Sequence, residues 1–306
     1  YKIIYYNDNM NIKQKFLELT SRTYPHGTEE DIFPILFSTV DGLEKDEFGN
    51  LFIKIGESDV MFTSHLDTAT SALTQVVHTF DGKLIKTDGK SILGADEKAG
   101  VVIMVNMIEN NIPGLYYFFL GEEVGCLGSK KVAEKQKVEK IPYINKVISF
   151  DRRGTDSIIT FQASSRCCSD KFGEELSKRL NEVESTFKYK NDPTGILTDS
   201  VQFIGIYSEC TNISVGYKSE HTFSEQQDIE HLTKLAEACL SNIIHEGTEI
   251  NVTQKIKPDV YGNRPGYSPI FDDIYTTEIL VDFDHSKVDF SRAPKKEDDS
   301  KSKVEA

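Results

Sequence analysis

The sequence has no apolar run approaching the roughly 20 residues that a membrane-spanning helix requires, so a membrane protein is not expected. It also lacks a Lys/Arg stripe interleaved with aromatics. Its formal charge of −14 repels a phosphate backbone, which argues against nucleic acid as a partner. The five cysteines include the adjacent Cys167 and Cys168, which suit neither a disulfide framework nor a CxxC metal motif and point to a reducing compartment. The opening residues YKIIYYND carry no basic segment followed by an apolar stretch, as a secretory signal would, so the expected location is cytoplasmic.

What is present is a chain of 306 residues, long enough for one large α/β domain or two small ones. From residue 10 to about 246, strand-like and helix-like segments alternate, as in a layered α/β domain. Apolar runs predict buried central strands over 59–64, 115–120, 147–150 and 212–215. Helices are predicted over 12–22, 99–109, 129–136, 170–182 and 228–245, and a hairpin between Gly42 and Gly56. Beyond Gly247 the periodicity gives way to Pro258, Pro265, Pro269 and the mixed charges of SRAPKKEDDSKSKVEA. The expected division is therefore a domain over 1–247 and an irregular or disordered C-terminal tail over 248–306.

Each predicted central strand ends beside carboxylates or an imidazole, and open α/β sheets bind ligands beyond the carboxyl ends of their strands. In SHLDT, residues 64–68, the alternation of an extended chain places His65 and Asp67 on one side, so that His65 can bind a metal while Asp67 accepts its other N–H. In LGADEKAG, residues 93–100, Asp96 lies in a Gly-Ala turn ahead of an apolar helix and suits a carboxylate shared between two ions. It suits a helix N-cap equally well. In YYFFLGEEVGCLGS the pair Glu122 and Glu123 follows an apolar strand, where neighbouring like charges imply a cation or a raised pKa. Two-metal hydrolysis assigns them different roles, Glu123 as ligand and Glu122 as general base, whereas a solvated turn is the ordinary alternative. Asp151 ends the strand KVISF, and His221 follows NISVGY in the string SEHTFSE. If the strands run parallel, all five candidate ligands converge on one edge of the sheet.

In this order and at these separations, SHLDT, GADEKAG, GEE, FD and EHT resemble the superfamily of co-catalytic (dinuclear) zinc exopeptidases, which includes aminopeptidases, carboxypeptidases and amino-acid deacylases. The match runs from about Phe16 to His245. The resemblance implies His65 and Asp151 on one metal, Glu123 and His221 on the other, Asp96 bridging both, Asp67 supporting His65 and Glu122 as the catalytic base. It implies two divalent ions, zinc first, with manganese or cobalt compatible with the same N/O donors. Two departures stand out. Asp151 and His221 are only about 70 residues apart, with no room for the long dimerisation or lid insertion of some members, and Glu97 stands where the family usually has Asp or Asn. The expected fold is therefore α/β, a single three-layer domain with a central mixed, largely parallel sheet flanked by helices.

Other residues have ordinary readings. His78 falls in a strand, His26 in a turn, His231 and His245 on the last helix, and Cys126 among small buried hydrophobes. Arg152 and Arg153 suit either a substrate carboxylate or an internal salt bridge, and Asp199 in LTDSVQF either an N-cap or a pocket residue. The functional expectation is a metal-dependent exopeptidase acting on a short peptide, with an aminopeptidase favoured. An amidase or deacylase of N-acylated amino acids or other small amides is the runner-up, and a non-catalytic binding module of the same fold is the reading from outside enzymology.

Overall fold

A computed structural model describes residues 11–241. Helix α1 (Ile12–Leu19) opens with a capping box, in which the Asn11 side chain and Gln14 satisfy each other's backbone N–H. A 3-10 turn over Glu29–Ile32 leads into α2 (Phe33–Thr39), which has a proline in its first turn. Then come the hairpin of β1 (Glu44–Lys45) and β2 (Leu51–Ile55), β3 (Val60–His65), and the pair β4 (His78–Phe80) and β5 (Leu84–Thr87). Helix α3 (Ala95–Glu109) precedes β6 (Gly114–Phe119), and α4 (Leu127–Val138) precedes β7 (Lys146–Arg152). Short strands β8 (Ser157–Ile159), β9 (Phe161–Gln162) and β10 (Ser165–Arg166) lead to α5 (Asp170–Val183) and β11 (Lys190–Asp192). A 3-10 turn over Asp199–Phe203, β12 (Glu209–Ser214), β13 (Tyr217–Lys218), β14 (Gln226–Asp228) and α6 (Ile229–Ala238) complete the described chain.

The main sheet has the order β1-β2-β6-β3-β7-β12-β8-β11. Its centre, β6-β3-β7-β12, is wholly parallel, while β2 and β8 run antiparallel to their inner neighbours. Strands β3, β6 and β7 are buried at every position, as expected where both faces are covered. Val60, Phe62, Tyr116, Phe118, Ile148 and Phe150 join the larger core with α1, α3 and α6, while the alternate residues Met61, Tyr117, Phe119 and Val147 join a second core with α4. The result is three layers. Helix α3 is apolar nearly all round, which fits its place between the sheet and α1 and α6. A four-stranded antiparallel sheet, β13-β14-β5-β4, stands apart and carries the segment after the last central strand.

The expected strands are present with ends shifted by one to three residues, and the 42–56 hairpin forms as β1 and β2. Helix α1 stops at Leu19 rather than Arg22, because Ser21 turns the chain towards the bridge between Arg22 and Gln75. Helix α3 starts four residues early, and α4 extends over Leu127–Val138. The last expected helix stops at Ala238, with Cys239 as its C-cap, and its residues 242–245, together with the expected tail over 248–306, lie outside the described residues. No described helix is long and apolar enough to cross a membrane.

Candidate metal centre

The parallel strands β6, β3 and β7 deliver their carboxyl ends side by side, and the loops that leave them supply the site. His65 is the last residue of β3, Glu122 and Glu123 follow β6, and Asp151 lies near the end of β7. Asp96 arrives from the distorted first turn of α3, where Gly94 has φ 74 and both Asp96 and Glu97 leave helical geometry; the Asp96–Glu97 peptide is cis. Asp96 is thus not the N-cap; that position is Gly94. Gly100 lets α3 press against β7, since a Cβ there would meet the Phe150 carbonyl and the Glu97 carboxylate.

Asp96 stands between two imidazoles. Its Oδ1 lies 3.2 Å from His65 Nε2 and its Oδ2 lies 3.0 Å from His221 Nε2. His221 Nε2 is 3.1 Å from Glu123 Oε2, while His65 Nε2 is 3.9 Å from Asp151 Oδ1 and 4.0 Å from Glu122 Oε2. On its far side His65 Nδ1 lies 3.2 Å from Asp67 Oδ1. Asp67 is fully buried and also accepts the backbone N–H groups of Glu122 and Glu123, each at 3.0 Å, so a single carboxylate orients the imidazole and the Glu-Glu turn together.

Asp151 is fixed by a hydrogen bond from the Tyr217 hydroxyl to its Oδ1 at 3.1 Å. The Cys126 thiol sits 3.6 Å from Glu122 Oε1. Asp199 is not a helix cap: its Oδ1 accepts the Ser129 hydroxyl at 2.5 Å, which ties the start of α4 to the 3-10 turn. His26 is nearer to the site than its turn suggested, since it joins buried Glu29 at 2.8 Å and groups with Asp67. His78 meets the Thr20 hydroxyl at 2.9 Å, away from these groups. Arg152 bonds Asp192 at 3.3 Å and Thr194 at 3.0 Å, and Arg153 pairs with Glu220 at 2.9 Å, so both arginines hold internal partners.

The electrostatics are those of crowded carboxylates. Burial pushes Asp151, Glu122 and Glu97 well above the usual carboxylate range, and repulsion from neighbouring carboxylates pushes them further. Burial also raises Glu123, with repulsion from Asp96 adding to it. Burial acts on Asp96 as well, but its hydrogen bonds with His221 and His65 outweigh that and hold it well below the usual range. The same contact with Asp96, joined by Glu123, lifts His221 to about 11. Burial pushes Asp199 up to about 7.

The donor set fits divalent cations. Among the described residues, four sets of potential ligand atoms lie within 4.8 Å of one another: His26, Glu29 and Asp67, and, at the strand ends, His65, Asp96 and Asp151; His65, Glu122 and Glu123; and Asp96, Glu123 and His221. Glu123 Oε1 is buried and has no hydrogen-bond partner among the described residues. Four carboxylates facing two imidazoles make a donor set whose negative charge a divalent cation would neutralise.

Several residues that support the centre carry no mark in the sequence. Glu225 accepts the backbone N–H groups of Gly94 and Asp96 at 2.8 and 2.9 Å, and Lys98 donates to the Asp67 carbonyl at 2.5 Å and to the Thr68 hydroxyl at 3.1 Å. Both lie inside motifs that drew attention for other members, and Tyr217 stands four residues before His221. Their partners lie more than 25 residues away along the chain, and spacing alone carries no signal for such contacts.

No family model matches the chain. A protein of Bacillus subtilis (strain 168), the uncharacterized YqjE, is 41% identical over 78 residues, which cover 23% of this chain and only 21% of that protein. Aminopeptidase PepT of Bacillus cereus has a similar fold, with a TM-score of 0.62 and 17% identity over 76% of this chain and 98% of that one. A tripeptidase of Staphylococcus aureus matches with a TM-score of 0.61 and 17% identity, covering 76% of this chain and 97% of the other. A Pyrococcus horikoshii TET1 peptidase gives 0.56 and 16%, covering 74% and 98%. The chain therefore shares the α/β fold of these peptidases, and at the ends of its parallel strands it carries a carboxylate-rich centre with two imidazoles.

Proposed function

We propose that this chain is a two-metal exopeptidase that removes residues from the amino end of short peptides. The observation that carries this reading is Asp96, whose two oxygens each face a different imidazole, at 3.2 and 3.0 Å. His65 and Asp151 would hold one ion, Glu123 and His221 the other, and Asp96 both. Zinc suits these nitrogen and oxygen donors, and manganese or cobalt are compatible with them. Such ions, when bound, supply Lewis-acid polarisation of the scissile carbonyl and lower the pKa of water at the centre.

The chain's own residues do the rest. Asp67 orients the His65 ring and, through its bonds to the Glu122 and Glu123 backbone, sets the Glu-Glu turn. Glu122 is the general base: one oxygen rests against the Cys126 thiol and the other faces His65, and burial raises its proton affinity. It takes a proton from the attacking water as the new C–O bond forms. It then delivers that proton to the amine nitrogen as the C–N bond breaks.

The preference for the amino end rests on charge. A substrate's C-terminal carboxylate needs a cation, and the two arginines after Asp151 are held by Asp192 and Glu220. A terminal ammonium group, by contrast, meets a site rich in carboxylates, with Asp199 beside Glu122 and Glu123. Hydrolysis of one tripeptide in three forms tests the reading: free, N-acetylated and C-amidated. The free and amidated forms should be cleaved with similar kcat/KM, and the N-acetylated form about 100-fold or more less efficiently, as is usual when a buried charged partner is lost. Faster cleavage of the acetylated form would overturn this assignment in favour of a deacylase.

A further inference from the structure

The start of α3 is built against the usual rules for a helix terminus. Its N-cap is Gly94, which has no side chain to satisfy the free N–H groups of the first turn, and the two residues after Ala95 depart from helical geometry. The missing acceptor comes from far along the chain. Glu225, wholly buried, accepts the Gly94 N–H through Oε2 at 2.8 Å and the Asp96 N–H through Oε1 at 2.9 Å. The segment is pinned elsewhere too, as the Ser64 hydroxyl donates to the Glu97 carbonyl at 3.1 Å and the Lys98 backbone N–H bonds the Gly94 carbonyl at 3.3 Å. Glu225, however, binds the backbone N–H of Asp96 itself. The loop that carries Glu225 also carries His221, four residues earlier, and His221 touches the Asp96 carboxylate at 3.0 Å. One loop thus holds Asp96 at both ends, by its backbone through Glu225 and by its carboxylate through His221.

We propose that Glu225 is a positioning residue that fixes the turn from which Asp96 reaches both ions, so that the His221–Glu225 loop sets the affinity of the whole centre and not only of the site His221 serves. The proposal rests on the two-metal reading above. A carboxylate that bonds two backbone N–H groups fixes the direction of the Cα–Cβ bond between them, and Asp96 can span two ions only if that direction is held. Without the latch, the two N–H groups are buried unsatisfied, and the turn relaxes towards the regular helix that Ala95 and the residues after Glu97 favour.

The test is zinc binding by chelator-stripped full-length protein, read by competition with a chromophoric chelator, alongside the melting temperature of the stripped protein. Glu225→Gln keeps the side-chain shape but turns an amide NH2 towards one of the two N–H donors. It should weaken zinc binding about 10- to 100-fold, the usual cost of losing a partner behind a metal ligand, and lower the affinity for both ions. The stripped variant should melt within a few degrees of the stripped wild type. Glu220→Gln, on the same loop but paired with exposed Arg153, should bind zinc as the wild type does. If Glu225→Gln does not fold, Glu225→Asp, one methylene too short to reach both donors, should show the same loss. Wild-type affinity in Glu225→Gln, or a loss matched by an equal loss in Glu220→Gln, overturns the proposal. A wild-type protein that takes up no zinc overturns the metal reading and this proposal with it. Zinc binding that Glu123→Gln loses and Glu225→Gln keeps overturns this proposal alone.

Discussion

Asp151 and Asn212 exchange two hydrogen bonds across β7 and β12: the Asp151 N–H donates to Asn212 Oδ1 at 2.8 Å, and Asn212 Nδ2 donates to the Asp151 carbonyl at 2.5 Å. The register between these strands slips just after Asn212, so its side-chain amide stands in for the ladder where the strand bends away. That is how a residue near the end of a central strand keeps its backbone satisfied while its carboxylate is offered to the site.

Asn212→Leu removes both bonds without restoring a partner to either buried group. The expected cost is about 1–3 kcal/mol for each group, which together lower the melting temperature by roughly 5–20 °C for a domain of this size. Thermal unfolding of the stripped variant checks it, and an unchanged melting temperature would show that the slip needs no side-chain support.

Metal removal should reveal the charge crowding at the centre. With zinc at about 100 times its dissociation constant, binding to the folded state alone adds about 2.7 kcal/mol, which raises the melting temperature by roughly 5–10 °C. Differential scanning calorimetry of stripped protein with and without zinc measures this. A melting temperature indifferent to zinc would mean that the carboxylates are balanced by protons and not by a cation.

His231 supplies a pH dependence away from the centre. Its Nε2 lies 2.9 Å from the Tyr189 hydroxyl and its ring packs 5.2 Å from Phe187, and burial holds its pKa down at about 4. An unfolded imidazole titrates near 6.5. Between those values the unfolded chain binds more protons, so stability falls as pH drops through about 6.5 and levels off below about 4, with a total loss of about 3 kcal/mol. Urea unfolding of wild type and His231→Phe from pH 7.5 to 4.5 isolates this contribution. The wild type should lose stability relative to the variant across that window, and parallel curves would contradict the assignment.

The sequence was most readable where an apolar run stops. VMFT before His65, YYFF before the Glu-Glu pair and KVISF up to Asp151 mark strands by burial on both faces, and the polar residues at the end of each run mark the edge where the carboxylates and imidazoles gather. The helices were readable at their middles and less so at their ends. Asp96 in the first turn of α3 looks like a cap in the sequence because capping is a local rule, whereas its backbone N–H is satisfied by a carboxylate 129 residues further along the chain. Residues 33–39, FPILFST, show no polar spacing, and a run that apolar does not announce a helix. His26 is drawn to the site by Glu29 and by the turn at Gly121, whose missing Cβ leaves room for the ring. Contacts of this kind follow from the folded path of the chain, and no spacing in the sequence encodes them.

The proposed mechanism divides labour between two adjacent carboxylates, and paired variants separate their roles. Glu123 faces His221 at 3.1 Å, whereas Glu122 stands 4.0 Å from His65 with its other oxygen against the Cys126 thiol. Metal content and kcat should be measured for Glu122→Gln and Glu123→Gln on a tripeptide that the wild type cleaves. Glu122→Gln should keep about two ions per chain and the wild-type melting temperature while kcat falls roughly 10²- to 10⁴-fold, the usual contribution of a positioned acid-base group. Glu123→Gln should lose metal first and activity in consequence. A Glu122→Gln protein that loses its metal while Glu123→Gln keeps it would exchange the two roles, and full turnover in both variants would contradict the mechanism outright.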